Sequence, residues 1–218
     1  MSWEDMAPLL AEATVETAIM VGWSALLTVL LGLPLGVALV VFDRDGLRPL
    51  PALKSALGVI VNVGRSVPFI VLMIAIIPFT RLVVGTTIGT AAVVVPLTVG
   101  AVPFFARLVE TSLREVDRDV VQAAQAMGAG RFTIVAKVLL PEALPGIVAG
   151  VTVTVVALIG YTAMAGTIGG GGLGDLAIRY GYQRFETGVM VATVVLLVVI
   201  VQVMQSLGDY VARRLSHK

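Results

Sequence analysis

The chain has 218 residues, 58% of them hydrophobic and 13% charged, with a formal net charge of +1 and no cysteine. A soluble domain carries roughly 45–50% apolar and about 25% charged residues, so this composition belongs to a membrane protein. Disulfide chemistry is excluded, no basic stripe speaks for nucleic acid, and the only histidine, His217, sits in the C-terminal tail, away from any interior catalytic or metal site.

The first twenty residues, MSWEDMAPLLAEATVETAIM, carry Glu4, Asp5, Glu12 and Glu16, and the first basic residue is Arg44. A secretory leader starts with positive charge, so the first apolar run is expected to remain as a spanning helix. A hydrocarbon core of about 30 Å needs about 20 apolar residues in helix. Five segments qualify, at about 18–42, 57–80, 87–109, 146–168 and 189–209. Asn62 and Arg65 fall early in the second, which reads alternatively as an interfacial helix handing over to a span that begins near Ser66. Pro34, Pro68, Pro96 and Pro103 lie in or near spans, where neighbouring helices can satisfy the freed carbonyls. The apolar runs show no period-two alternation, so a closed barrel does not compete. The expected fold class is an all-α membrane protein of about five spans, forming a single domain over residues 1–218.

Charge sets the orientation. With the N-terminus outside, the inside holds Arg44, Arg48, Lys54, Arg65, Arg107, Arg114, Arg118, Arg131, Lys137, Arg213, Arg214 and Lys218. The outside then holds only Arg81, Arg179 and Arg184, a strong positive-inside bias that puts the C-terminus in the cytoplasm. Arg65 reads as an arginine snorkelling to that interface. Gly32-x-x-x-Gly36 and Gly146-x-x-x-Gly150 are small-residue pairs suited to close helix contact, including a dimer seam.

The interiors of the first, fourth and fifth spans carry no Asp, Glu, Lys or Arg. A carrier that harvests an ion gradient places ionisable groups along its path, so this pattern weighs against one. GGGGLG at 169–174 satisfies G-x-G-x-x-G through Gly169, Gly171 and Gly174. It lacks the preceding strand of a dinucleotide fold and reads instead as a tight turn where positive φ costs glycine little. No Gly-Lys-Ser or Gly-Lys-Thr occurs, so an ATP-driven process would need a second chain to bind the nucleotide. With no cysteine and no paired carboxylates within a span, no catalytic constellation can be assembled.

Residues 119–141, DVVQAAQAMGAGRFTIVAKVLLP, interrupt the apolar runs on the cytoplasmic side. Asp119 with Gln122 three residues later fits a capping box, and a helix over about 118–131 is expected to end at Gly128 or Gly130. Val120, Ala124, Met127 and Arg131 would share one face of it. Phe132, Val135, Val138 and Leu139 form a second amphipathic segment before Pro141 and Pro145. A helix resting on lipid favours large apolar residues under a basic face; alanines, a methionine and a glycine suit insertion into a protein groove better.

Gln122-Ala123-Ala124, then Gly128, then Val138-x-Leu140-Pro141 resembles the EAA motif of ABC-importer permeases, with Gln122 in place of the usual glutamate and Val138 in place of isoleucine. RSVPFI at 65–70, IPFTRLVVGTTIG at 77–89, VPLTVGAVPFFAR at 95–107, LPEALPGI at 140–147 and GGLGDLAIRYGYQRF ending at Phe185 are similar to the methionine-importer permease family. The resemblance implies a type I importer architecture in a bacterial inner membrane, with Asp119, Gln122, Ala123, Ala124, Met127, Gly128, Val138, Leu140 and Pro141 in a coupling helix that engages an ATP-binding subunit. It implies two permeases, two ATPases that bind ATP and Mg, and an extracytoplasmic methionine-binding protein, with no cofactor in this chain. A gate is expected near Tyr161 and Met164, and a docking surface for the binding protein at Asp175, Arg179, Tyr182 and Arg184. The alternatives are a permease for another small solute and a carrier that works without an ATPase.

Overall fold

A computed structural model describes residues 3–216; His217 and Lys218 lie outside the described residues. Four helices are long and apolar enough to cross a membrane, or up to five if a bent pair counts as one span. No strand occurs among the described residues.

Helix α1 runs from Trp3 to Val41, 39 residues, which at 1.5 Å per residue is about 58 Å. It starts well before residue 18 because Glu4 and Asp5 in its first turn complement the helix dipole and nothing in the acidic leader breaks it. The second expected span is not one straight helix. Helix α2, Pro51–Ser66, ends where Val67 is extended ahead of Pro68, and α3, Phe69–Ala75, leaves at 104° to it. A residue before proline is pushed out of the helical region, which is the local cause of the break. Leu57 and Val61 of α2 pack against Leu39 and Ala106. Helix α4, Ile77–Val84, follows and stops at Gly85, φ 81°.

Helix α5, Thr90–Arg114, is the centre of the molecule: 56% of its apolar window is buried, against 28% for α1 and 11% for the last helix. Beyond it come α6, Arg118–Ala126, and α7, Arg131–Ile134, then a π-helical turn, Val135–Leu139, and α8, Leu140–Ala165. The π turn sits just ahead of Pro141, whose missing N–H could not complete an α-helical bond there. A short helix α9, Gly172–Leu176, a second π turn, Ala177–Tyr182, and α10, Thr187–Leu215, complete the chain.

Ser24, Thr28, Gly32 and Gly36 are all buried and recur every fourth residue along α1, which brings its backbone close to α5. A Cβ on Gly32 would lie 2.8 Å from Phe105 Cδ1, and one on Gly146 would lie 2.7 Å from Ser112 Oγ. Both glycine pairs are therefore spent on α5 inside one chain rather than left as a dimer seam. The glycine turn is likewise a packing device. Gly169, Gly171 and Gly172 have φ between 76° and 80°. The Gly172 N–H donates to Glu16 Oε2 at 2.6 Å and the Leu173 N–H to Thr17 Oγ1 at 2.9 Å, binding the turn to α1.

Two glycines on the same helix test this seam. A Cβ on Gly36 would lie 2.6 Å from Val109 Cβ and 2.7 Å from the Ala106 carbonyl, whereas Gly22 has nothing within 4 Å. Gly36→Ala is expected to cost about 1–3 kcal/mol, the usual effect of overpacking, and Gly22→Ala to be neutral or slightly stabilising. Thermal unfolding of the purified protein in detergent compares them; equal midpoints would contradict the close approach of α1 to α5.

Candidate functional site

The polar stretch between α5 and α8 folds as a helix closed at both ends. Asp117, not Asp119, is the N-cap: its carboxylate accepts from the Asp119 N–H at 2.9 Å. Asp119 falls in the first turn, where its charge still favours the helix N-terminus, and Gln122 lies two residues past the position a capping box requires. At the other end Gly128 has φ 78°, its N–H donates to Gln125 O at 2.9 Å, and the Ala129 N–H donates to Ala124 O at 3.0 Å. That pair of bonds is a Schellman motif, and it needs the left-handed residue that only glycine adopts without strain.

The helix ends at Ala126, so the expected continuous face does not form. Of Val120, Ala124, Met127 and Arg131, only Ala124 is buried; Val120 is exposed, Met127 is 82% exposed, and Arg131 opens α7. Phe132 is 84% exposed. Ala124, Ile134 and Leu139 instead join Phe105, Val109 and Leu113 of α5 and Ala143 and Ile147 of α8 in one apolar cluster. Val138 and Leu140 pack on that cluster, Asp119, Gln122, Ala123 and Gly128 are exposed, and Pro141 opens the first turn of α8. The segment thus offers Val120, Met127 and Phe132 outward while its other side is fixed to two spans.

A chain of ionic contacts lies beside it. Glu110, 3% exposed, accepts from Arg107 and from Arg114, the latter at 2.8 Å. Arg107 also donates to Asn62 Oδ1 of α2 at 2.6 Å, and Arg114 donates to Asp43 in the loop after α1, where Lys54 lies 3.6 Å away. The sequence holds a local signal for half of this, arginines three before and four after Glu110 on one helix face. Asp43 and Asn62 are distant in sequence and were not foreseeable. Asp43, Asp45, Arg114, Gln122 and Gln125 border a cleft of about 420 Å³ between that loop and α6.

At the opposite end of α8, Tyr161 is half-buried and stacks on Phe69, ring centroids 4.5 Å apart and planes 8° off parallel. Met164, one turn on, is 48% exposed. The loop before α10 splits the expected docking group. Asp175 is buried and ion-paired with Arg179, so it positions that arginine rather than facing outward. Tyr182 and Phe185 are 70% and 84% exposed, and the Arg184 guanidinium lies 4.5 Å above the Tyr180 ring. Phe185 has φ 57°, an unfavourable conformation for a bulky residue, which holds its ring out of the core. Among the described residues no group of His, Cys, Asp or Glu could hold a metal ion.

A sequence profile described as the binding-protein-dependent transport system inner membrane component matches residues 29–217. The probable D-methionine transport system permease protein MetI of Vibrio cholerae is 55% identical over 210 residues, covering 96% of this chain and 93% of its own. The methionine import system permease protein MetP of Bacillus subtilis is 47% identical over 160 residues, 73% and 72% of the two chains. A solved structure of the MetNI methionine ABC transporter in an inward-facing conformation superposes with a TM-score of 0.97 at 45% identity, covering 100% of both chains.

Asp43 gives a pH test of the inner end. Its pKa is held below the ordinary carboxylate value, chiefly by the hydrogen bond from Arg114. A folded pKa below the unfolded one contributes stability above the unfolded value of about 4 and loses it as pH falls through the folded value. Because Arg114 is partly exposed, Asp43→Asn is expected to cost at most about 1 kcal/mol at pH 7, a cost that shrinks as pH falls through the lowered folded value. Thermal unfolding over a series of falling pH reads this directly; a gap that does not narrow on acidification would contradict it.

Proposed function

Because this chain belongs to the family of binding-protein-dependent transport system inner membrane components, we propose that it is the membrane-spanning subunit of an ATP-driven importer for methionine. Two copies enclose the path, two ATP-binding subunits drive it, and an extracytoplasmic binding protein delivers the substrate. The observation that carries this reading is the segment from α6 to the π turn. It is capped at both ends, presents Val120, Met127 and Phe132 outward, and is packed without a break onto α5 and α8. An ATPase that grips the outer side of α6 moves both spans with it. Gln122 supplies no charge, so recognition at this position rests on shape and hydrogen bonding.

The names of the close relatives support methionine as the substrate. The chemistry agrees, since a path with no charged residue beyond the first turn of α8 or along most of α10 suits an apolar side chain better than an oxyanion. Met164 stands as the gate residue on the open side of α8, with Tyr161 one turn below it. Arg179, Tyr182 and Arg184 form the docking surface, with Phe185 as an exposed aromatic anchor. ATP and Mg reside on the partner subunit, and the membrane is the bacterial inner membrane.

Met127→Glu puts a charge where the ATPase groove would close, on a side chain too exposed to matter for folding. It is expected to cut ATPase co-purification with the tagged chain at least tenfold, and methionine uptake by the reconstituted importer with it. In the same assay Arg184→Glu is expected to lower stimulation by the binding protein about tenfold. Undiminished co-purification with Met127→Glu would sink the coupling assignment. Uptake of a different solute in preference to methionine in a competition panel would sink the substrate.

A further inference from the structure

A second cleft, of about 250 Å³, opens where α2 breaks into α3. Its walls are Arg65 from the last turn of α2, Phe69 and Leu72 from α3, Gly100 and Phe104 from α5, and Tyr161 from α8. Two halves of different chemistry face each other there. One is the stacked pair Phe69 and Tyr161, which is anchored: Phe69 is buried in the central core and Tyr161 packs against that core. The other is Arg65. No Asp or Glu lines the cleft, and Arg65 makes no ion pair among the described residues. The charged side chains of α5, by contrast, are neutralised within the Arg107–Glu110–Arg114–Asp43 chain.

We propose that this cleft is a substrate subsite within the permease, in which Arg65 binds the carboxylate of an amino acid and the Phe69–Tyr161 stack with Phe104 receives its apolar side chain. The inference rests on the importer reading above and adds a point of contact on this chain. A guanidinium is the side chain best shaped to bind a carboxylate bidentately. A thioether gains from lying against aromatic rings, which makes methionine a good occupant of the other half. Sites for drug-sized ligands begin near 300 Å³, so this volume fits one small solute and excludes an oligomeric one. The glycines fit the same purpose. Gly100 leaves the wall open beside Leu72 and Phe69, and a Cβ there would lie 3.2 Å from Leu72 Cδ2. Arg65 and the aromatic wall lie on different helices, so relative movement of α2 against α5 and α8 would separate the two halves and release the solute.

The test uses the permease–ATPase complex without binding protein, exposed to a photoreactive methionine that carries a diazirine in its side chain. Adducts are mapped by peptide mass spectrometry. They are expected at Phe69, Phe104 or Tyr161, to be displaced by excess methionine, and to be displaced at least tenfold less well by methioninol, which lacks the carboxylate. In R65Q labelling is expected to fall at least tenfold, methionine and methioninol to compete equally, and R65K to restore a substantial part. Adducts only elsewhere on the chain, or equal competition by methioninol in the wild type, would overturn the proposal, and neither result depends on a variant folding. The outcome is separable from the importer reading. Wild-type complex that transports methionine but gives no adduct in the cleft loses this subsite alone, whereas failure to transport methionine at all removes the substrate assignment itself.

Discussion

The contact on which the architecture depends is the apolar cluster at the inner end, where Ala124, Ile134 and Leu139 meet Phe105, Val109 and Leu113 of α5 and Ala143 and Ile147 of α8. Packed interiors have little free volume, so a displacement applied to such a cluster is passed on rather than absorbed. The helix caps make α6 a rigid handle, and the cluster makes the handle continuous with two spans. The π turn ahead of Pro141 is the single place in that connection where the helical hydrogen bonding changes register.

The two ends of the molecule are held by different forces. At the inner end, Glu110 gathers Arg107 and Arg114, and through them Asn62 of α2 and Asp43 of the loop after α1. A carboxylate as buried as Glu110 is tolerated only because its partners satisfy it. At the outer end hydrogen bonds from backbone amides to Glu16 and Thr17 close the glycine turn onto α1. In between, small residues on α1 set the distance to α5. A shift of α5 is therefore felt by α1, by α2 and by α8 together.

The spans were legible because a bilayer demands long apolar helices, and hydropathy reports this directly. Their limits were less so. The acidic leader continues α1 because helix formation tolerates Glu and Asp at an N-terminus, something a search for apolar residues does not register. The second span was ambiguous for a real reason, the break at Pro68, where α2 and α3 bend by 104° and make a membrane-crossing length only when taken together. The polar helix expected over about 118–131 forms over Arg118–Ala126, stopped by its glycine, but its cap is Asp117, two positions nearer the N-terminus than the expected Asp119. What the sequence hid is long-range. Arg114 and Asp43 are 71 residues apart, and Gly172 and Glu16 are 156 apart. Asp175 looked like a surface charge because its burial depends on how the glycine turn folds back.

The central claim is that motion at α6 reaches the outer end of α8 through packed helices. The chain has no cysteine, so single cysteines can be introduced for spin labels without background. Labels at Glu115 near the inner end and at Thr167 near the outer end, both exposed, give two distances between the paired permeases of the assembled importer. Pulsed electron–electron resonance with and without a non-hydrolysable ATP analogue measures both. The account predicts that the Glu115 distance shortens while the Thr167 distance lengthens. A change at Glu115 with Thr167 fixed would show that the inner cluster absorbs the motion, and would contradict it.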